Sequence, residues 1–144
     1  MKRFPLILPL LLLALPGSIP EQRAEDMLVP VELQVNLFAK VLRFDRSLAE
    51  QPYADLVVGV LYQERVRDSN LAKDAFIEEV RRSELTIQDR RVKTVPLAAG
   101  TPEELARSIE EHGLDLLYVG PVRALSIEKF SRVTRSLSVI TLPG

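Results

Sequence analysis

Cysteine and tryptophan are both absent from this 144-residue chain, and it carries a single histidine, His112. Without thiols there is no disulfide framework and no thiol redox switch. With one histidine, a transition-metal site would need several clustered carboxylates. The aspartates and glutamates are instead scattered over predicted helix surfaces. The pairs Glu78-Glu79, Glu103-Glu104 and Glu110-Glu111 are sequence neighbours. Neighbours on a helix diverge, so these pairs read as solvating charge rather than acid/base couples. A dominant charge sign is missing too. Nineteen basic residues face twenty acidic ones, for a net charge of −1, which removes any global electrostatic case for nucleic acid. Glycine is missing where phosphate chemistry would need it: "YQERVRDSN" follows the first predicted strand, so no dinucleotide fingerprint is present.

What is present begins with an N-terminal segment unlike the rest. "MKRFPLILPLLLLALPGSIP" has a basic start at Lys2-Arg3, then an apolar run from Leu6 to Leu15, then Pro16-Gly17-Ser18. That is the layout of a secretory signal peptide over residues 1–20, with cleavage between 17 and 24. The run is too short for a membrane anchor, which takes about 20 apolar residues. Residues 21–30 read as a lead-in, and 31–144 as a single α/β domain large enough to bury a core without staples. The composition, 47% hydrophobic and 27% charged, is that of a globular domain.

The first predicted helix lies in "VELQVNLFAKVLRF". Leu33, Leu37, Val41 and Phe44 recur at three- and four-residue spacing and are expected to face the core. Phe38 and Leu42 widen that face, and Glu32, Asn36, Lys40 and Arg43 form the polar side. Pro30 is expected at the first helical position. "DLVVGVLYQ" is a continuous apolar strand of the kind covered on both faces. Asn70 is expected to cap "LAKDAFIEEVRR", with its stripe at Leu71, Ala75, Phe76 and Val80. "RVKTVPL" gives a second strand in which Pro96 marks an edge or an ending. Thr101-Pro102-Glu103-Glu104 is a capping box with proline in the first turn. "LDLLYVG" is the third strand. Ser126 and Glu128 open a helix with its stripe at Ile127, Phe130, Val133 and Leu137, and "SVITL" is the fourth strand.

Strands alternating with helices predict an open, mostly parallel four-stranded sheet of order 2-1-3-4, with helices on both faces and the amphipathic helix in front. The switch point then falls between the first and third strands, where such sheets bind ligands. Tyr62 and Gln63 end the first strand, and Gly120 and Arg123 follow the third. Arg123 offers a fork of donors to an anionic or polar molecule. The locally basic stretch Arg81, Arg82, Arg90, Arg91, Lys93 reads as a solvated face. No catalytic residue, cofactor or metal is assigned.

Taken in order, "LQVNLFAKVLRFDRSL", "DLVVGVLYQ", "KTVPL", "TPEELA", "LDLLYVGP" and "SVITLPG" resemble the YfiR/HmsC-like family of periplasmic regulators. Lys40 and Phe44 fit the aromatic-lysine-aliphatic pattern of that family's first helix. Where the family has a tryptophan-proline step, this chain has Asp45-Arg46-Ser47. The family continues past the fourth strand with a hairpin and a helix, so by the resemblance this chain, ending at Gly144, is expected to be either a fragment or a member of a reduced branch. The resemblance further implies a non-catalytic periplasmic protein that holds the periplasmic region of a membrane diguanylate cyclase inactive. Loss of that binding raises cyclic di-GMP and promotes biofilm. By the same resemblance Phe38, Leu42, Phe44, Asp45 and Arg46 are the expected partner surface, with a homodimer left open. The alternative is a small-molecule-binding domain similar to half of a substrate-binding protein, using Tyr62, Gln63, Gly120 and Arg123.

Overall fold

The computed structural model describes residues 29–50, 54–123, 127–137 and 139–143. The signal-peptide reading of 1–20, most of the lead-in and the Ser126 cap fall outside them. The elements run α1 (Val31–Leu42), α2 (Arg46–Ala49), β1 (Leu56–Tyr62), α3 (Arg67–Arg82), β2 (Thr86–Ile87), β3 (Arg90–Ala98), α4 (Pro102–His112), β4 (Leu116–Val119), α5 (Ile127–Ser136) and β5 (Ile140–Pro143).

The fold is mixed α/β, with one five-stranded sheet of order β2-β3-β1-β4-β5. β1 is central and pairs parallel with β3 and β4, and β4 pairs parallel with β5. The expectation of four strands needs correction: β2 is an additional strand, antiparallel to β3 through Thr86–Arg91 and Ile87–Arg90. Its turn is Gln88-Asp89, both left-handed at φ 52° and 63°, and Glu84 just before it is at φ 45°. Two consecutive left-handed residues are what a tight hairpin turn needs, and glycine or asparagine usually supplies them. Here Asp89 is the one residue of a type that tolerates this conformation, and Gln88 is not, so the hairpin leaves only a weak turn signature in the sequence.

Side chains alternate across β1. Leu56, Val58 and Val60 pack with Leu116 and Tyr118 of β4 against α1 and α3. Leu61 packs with Leu97 and Leu117 against Leu105 and Ile109 of α4, joined by Phe130, Val133 and Leu137 of α5. Helices therefore cover both faces. Gly59 of β1 lies on the α4 side, where an added Cβ would come within 2.8 Å of methyls of both Leu114 and Leu97. The leucine methyls occupy the volume that a side chain there would fill.

Local signals decide α4. Thr101 Oγ1 accepts from Glu104 N at 3.2 Å, Glu104 Oε2 accepts from Thr101 N at 2.7 Å, and Gly113 ends the helix at φ 58°. α3 departs from expectation because it starts at Arg67, four residues before Leu71. Asn70 is thus inside the helix. Its Nδ2 donates to the carbonyls of Gln63, Glu64 and Val66, tying the β1–α3 turn to the helix. Leu71 and Ala75 are exposed, while Ser69, Phe76 and Val80 face inward. Pro30 sits one position before α1, as its cap.

Among the described residues, β3 is an open margin beyond its two-residue pairing with β2. Ala99 N donates inward to Tyr62 O, and Val92 N donates outward to Leu85 O. Alternation along the strand therefore points the nitrogen of Pro96 outward, where it has no hydrogen to offer.

Candidate functional site

Two surfaces are the candidates: the crevice where strand order reverses, and the outer face of α1.

The crevice lies at the carboxyl ends of β1 and β4. Gln63, immediately after β1, uses its whole carboxamide on the loop after β4. Its Nε2 donates to Arg123 O at 2.7 Å and its Oε1 accepts from Arg123 N at 2.6 Å. Gly120 N donates to Leu61 O at 3.3 Å, bringing the start of that loop against β1. Tyr62 lies under Lys73, whose Nζ is 4.6 Å from the ring centroid. The Arg123 guanidinium points into solvent and meets Asp68 at 3.8 Å, with both side chains largely exposed. The four expected groove residues are thus brought to one end of the sheet, but Gln63 is a loop clamp rather than a free donor.

Beside them is an open groove of about 520 Å3, lined by Val29, Gln34, Leu71 and Tyr118 with Asp68 and Arg123 at its rim. Tyr118 forms its floor and donates from its hydroxyl to Gln34 Oε1 at 3.1 Å. Burial pushes the Tyr118 phenol above its usual pKa. Among the described residues, no group of three His, Asp or Glu side chains is placed to hold a metal ion. Gln63→Ala is expected to free the loop after β4. Hydrogen exchange of the Arg123 amide should then rise well over tenfold while global stability falls by only about 1 kcal/mol. Unchanged protection would mean that the clamp does not hold in solution.

On α1 the structure reverses the expected orientation. The buried positions are Val35, Ala39 and Leu42, with Phe38 and Val31 packed beside them. Phe38 meets Tyr118 edge-on, with ring centroids 6.2 Å apart. Leu33, Leu37 and Val41 expose 58–59% of their surface, Val29 53% and Phe44 86%. Of the five expected partner residues, Leu42 is therefore buried in the core and Phe38 is half-buried against it. The residues read as the core line form an outward apolar stripe. Both rows obey helical spacing. Those at 31, 35, 38 and 42 face the sheet and α3, and those at 33, 37, 41 and 44 do not.

The stripe is held rigidly at its far end. Gln88 Nε2, at the tip of the β2–β3 turn, reaches the carbonyls of Leu42 at 3.1 Å, Arg43 at 3.3 Å and Asp45 at 2.9 Å. Asp45 caps α2, accepting from Ser47 N at 2.8 Å and Ser47 Oγ at 2.6 Å. The Ser47 hydroxyl, more than the backbone amides, lowers the Asp45 pKa. Arg46 is exposed beside it. Gln88 drew no attention in the sequence because a lone glutamine in a charged stretch carries no signal of its own.

The basic stretch also divides. Arg81 and Arg82 pair with Glu78 and Glu79 on the surface of α3, and Lys93 pairs with Asp55 at 2.6 Å. Arg90 is the exception: it is buried and donates to Ala54 O at 2.6 Å and Leu48 O at 3.3 Å. Its guanidinium also faces Asp115 at 3.9 Å, and the Asp115 carboxylate accepts from Val57 N. The expectation of a fully solvated basic face fails at this position because Arg90 holds the α2–β1 segment down. His112 lies exposed at the opposite end of α4 from the crevice-side strand tips.

Compared with known proteins, the sequence matches no family model and no curated protein.

Proposed function

We propose that this protein is an exported, non-catalytic regulatory module of the periplasm. It binds the periplasmic region of a membrane signalling protein, such as a diguanylate cyclase, through the outer face of α1. The observation that carries this reading is the row Leu33, Leu37, Val41 and Phe44. Leu33, Leu37 and Val41 stand in water on a helix whose other apolar face is already buried, and Phe44, 86% exposed, follows just past its end. Contiguous exposed apolar surface on a small domain marks an interaction site. Regulation would follow from preference for one state of the target, whose equilibrium shifts by the difference in affinity. The resemblance to the YfiR/HmsC-like family supplies the class of target, and the apolar stripe supplies the surface.

The test is binding of the purified chain to the periplasmic region of a diguanylate cyclase from the same cell, measured calorimetrically. Leu37→Asp and Phe44→Asp should each weaken the complex at least about thirtyfold while leaving the melting temperature within a few degrees. Absence of binding by the wild-type chain, or binding indifferent to both substitutions, overturns the proposal.

A further inference from the structure

The shape and charge order of α1 point to a specific occupant for its outer face. We infer that the stripe pairs with the same stripe of a second copy of this chain, antiparallel, across a two-fold axis at Leu37. The inference rests on the reading of α1 as an interaction surface and adds what covers that surface before any other partner does.

Leu33, Leu37 and Val41 are four residues apart within α1, so they form one ridge on its outer side. Ridges of this kind interdigitate with one another at a crossing angle of about −50°. The row is also near-symmetric about its middle. Reversing it about Leu37 sets Leu37 on Leu37 and Leu33 against Val41, so each apolar side chain meets another. Only a self-complementary patch can close a two-fold pair.

Charge selects the antiparallel sense. Glu32 stands at the start of α1, with Lys40 and Arg43 at its end, all exposed. A reversed copy brings the acidic end of each helix to the basic end of the other and opposes the two helix dipoles. A parallel copy would align those dipoles and set Lys40 beside Lys40.

The size of the contact sets its strength. A helix of 12 residues spans about 18 Å, so helix pairing alone buries a few hundred Å2 per copy. That is below the roughly 800 Å2 per partner of a standard specific interface. The pair is therefore placed among weak, reversible contacts. The dimer keeps the apolar stripe out of water, and dissociation hands the same stripe to the signalling protein. The two complexes exclude each other.

The absence of cysteine makes the geometry directly testable. Single variants Leu37→Cys, Leu33→Cys and Val41→Cys are prepared in the purified full chain and oxidised mildly. Because the substituted positions are exposed, folding is not at stake. Leu37→Cys should give a covalent dimer by itself. Leu33→Cys and Val41→Cys should crosslink mainly when mixed, in a 33–41 disulfide, since the bridge needs Cβ atoms about 4 Å apart. Dominant 33–33 and 41–41 bridges overturn the antiparallel arrangement.

Sedimentation equilibrium supplies the second arm. The wild-type chain should pass from monomer to dimer with concentration, and Leu37→Asp should stay monomeric. Glu32→Lys should weaken the dimer about three- to tenfold, and Lys40→Glu with Arg43→Glu should do the same. Combining all three substitutions should restore it. A wild-type chain that is monomeric at its highest soluble concentration overturns the inference. If that monomer still binds the cyclase region, the proposed function survives without the dimer. A dimer with no cyclase binding separates the two the other way.

Discussion

Tyr118→Ala is expected to cost about 4 kcal/mol of unfolding free energy in urea, the range for deleting a buried aromatic ring. The ring is 1% exposed, stacked on Phe76 with centroids 4.0 Å apart and met edge-on by Phe38. It is where α1, α3 and β4 meet, so its removal leaves a cavity bounded by three elements that cannot all close in. Tyr118→Phe separates packing from polarity. It keeps the ring and loses one bond to a half-buried Gln34, so the expected cost is about 1 kcal/mol. Equal losses for the two variants would place the stabilisation in the hydroxyl and contradict the stacking.

Arg90→Met is expected to cost about 3 kcal/mol, measured in the same way. Methionine fills much of the same volume but donates nothing. The carbonyls of Ala54 and Leu48 would lose their donor, the second in a buried position and the first in a partly buried one, and Asp115 would lose its nearby positive charge. Arg90→Lys should recover only part of the loss, because one ammonium cannot span the two carbonyls that the planar guanidinium joins. Hydrogen exchange should locate the damage at the α2–β1 segment in both variants. A cost under about 0.5 kcal/mol for Arg90→Met would mean that water already satisfies these carbonyls.

These two residues also mark where the sequence could be read and where it could not. Tyr118 sits in "LDLLYVG", an apolar run whose strand character and position after α4 follow from local pattern alone. The capping box at Thr101–Glu104 was equally legible, since every atom it needs lies within four residues. Arg90 was hidden because its burial depends on carbonyls 36 and 42 residues earlier in the chain. In the sequence it is one more cation in a charged stretch. The β2–β3 hairpin was hidden because Gln88 adopts a left-handed conformation that its residue type does not advertise, leaving Asp89 as a lone turn residue in a charged stretch.

The candidate surface on α1 was half legible. The width of its apolar pattern announced a helix with more nonpolar surface than one buried face requires. On periodicity the row through Leu37 is the one expected inside, although the row through Val35 satisfies helical spacing equally well. The choice belongs to Tyr118, Phe76 and the sheet, which are distant in sequence and accept the smaller Val35 and Ala39 beneath the helix. The crevice was placed correctly by strand order, but the role of Gln63 required knowing that the loop after β4 returns to within 2.7 Å of it.

The outward-facing nitrogen of Pro96 has a consequence for how this molecule keeps company. A foreign strand laid along β3 would find a missing rung midway up the ladder, with the neighbouring Lys93 committed to Asp55. Zipper-like growth from that side is thereby discouraged. The exposed apolar row lies instead on α1, a helix whose backbone hydrogen bonds are already made internally and offer no ladder for a fibre to extend.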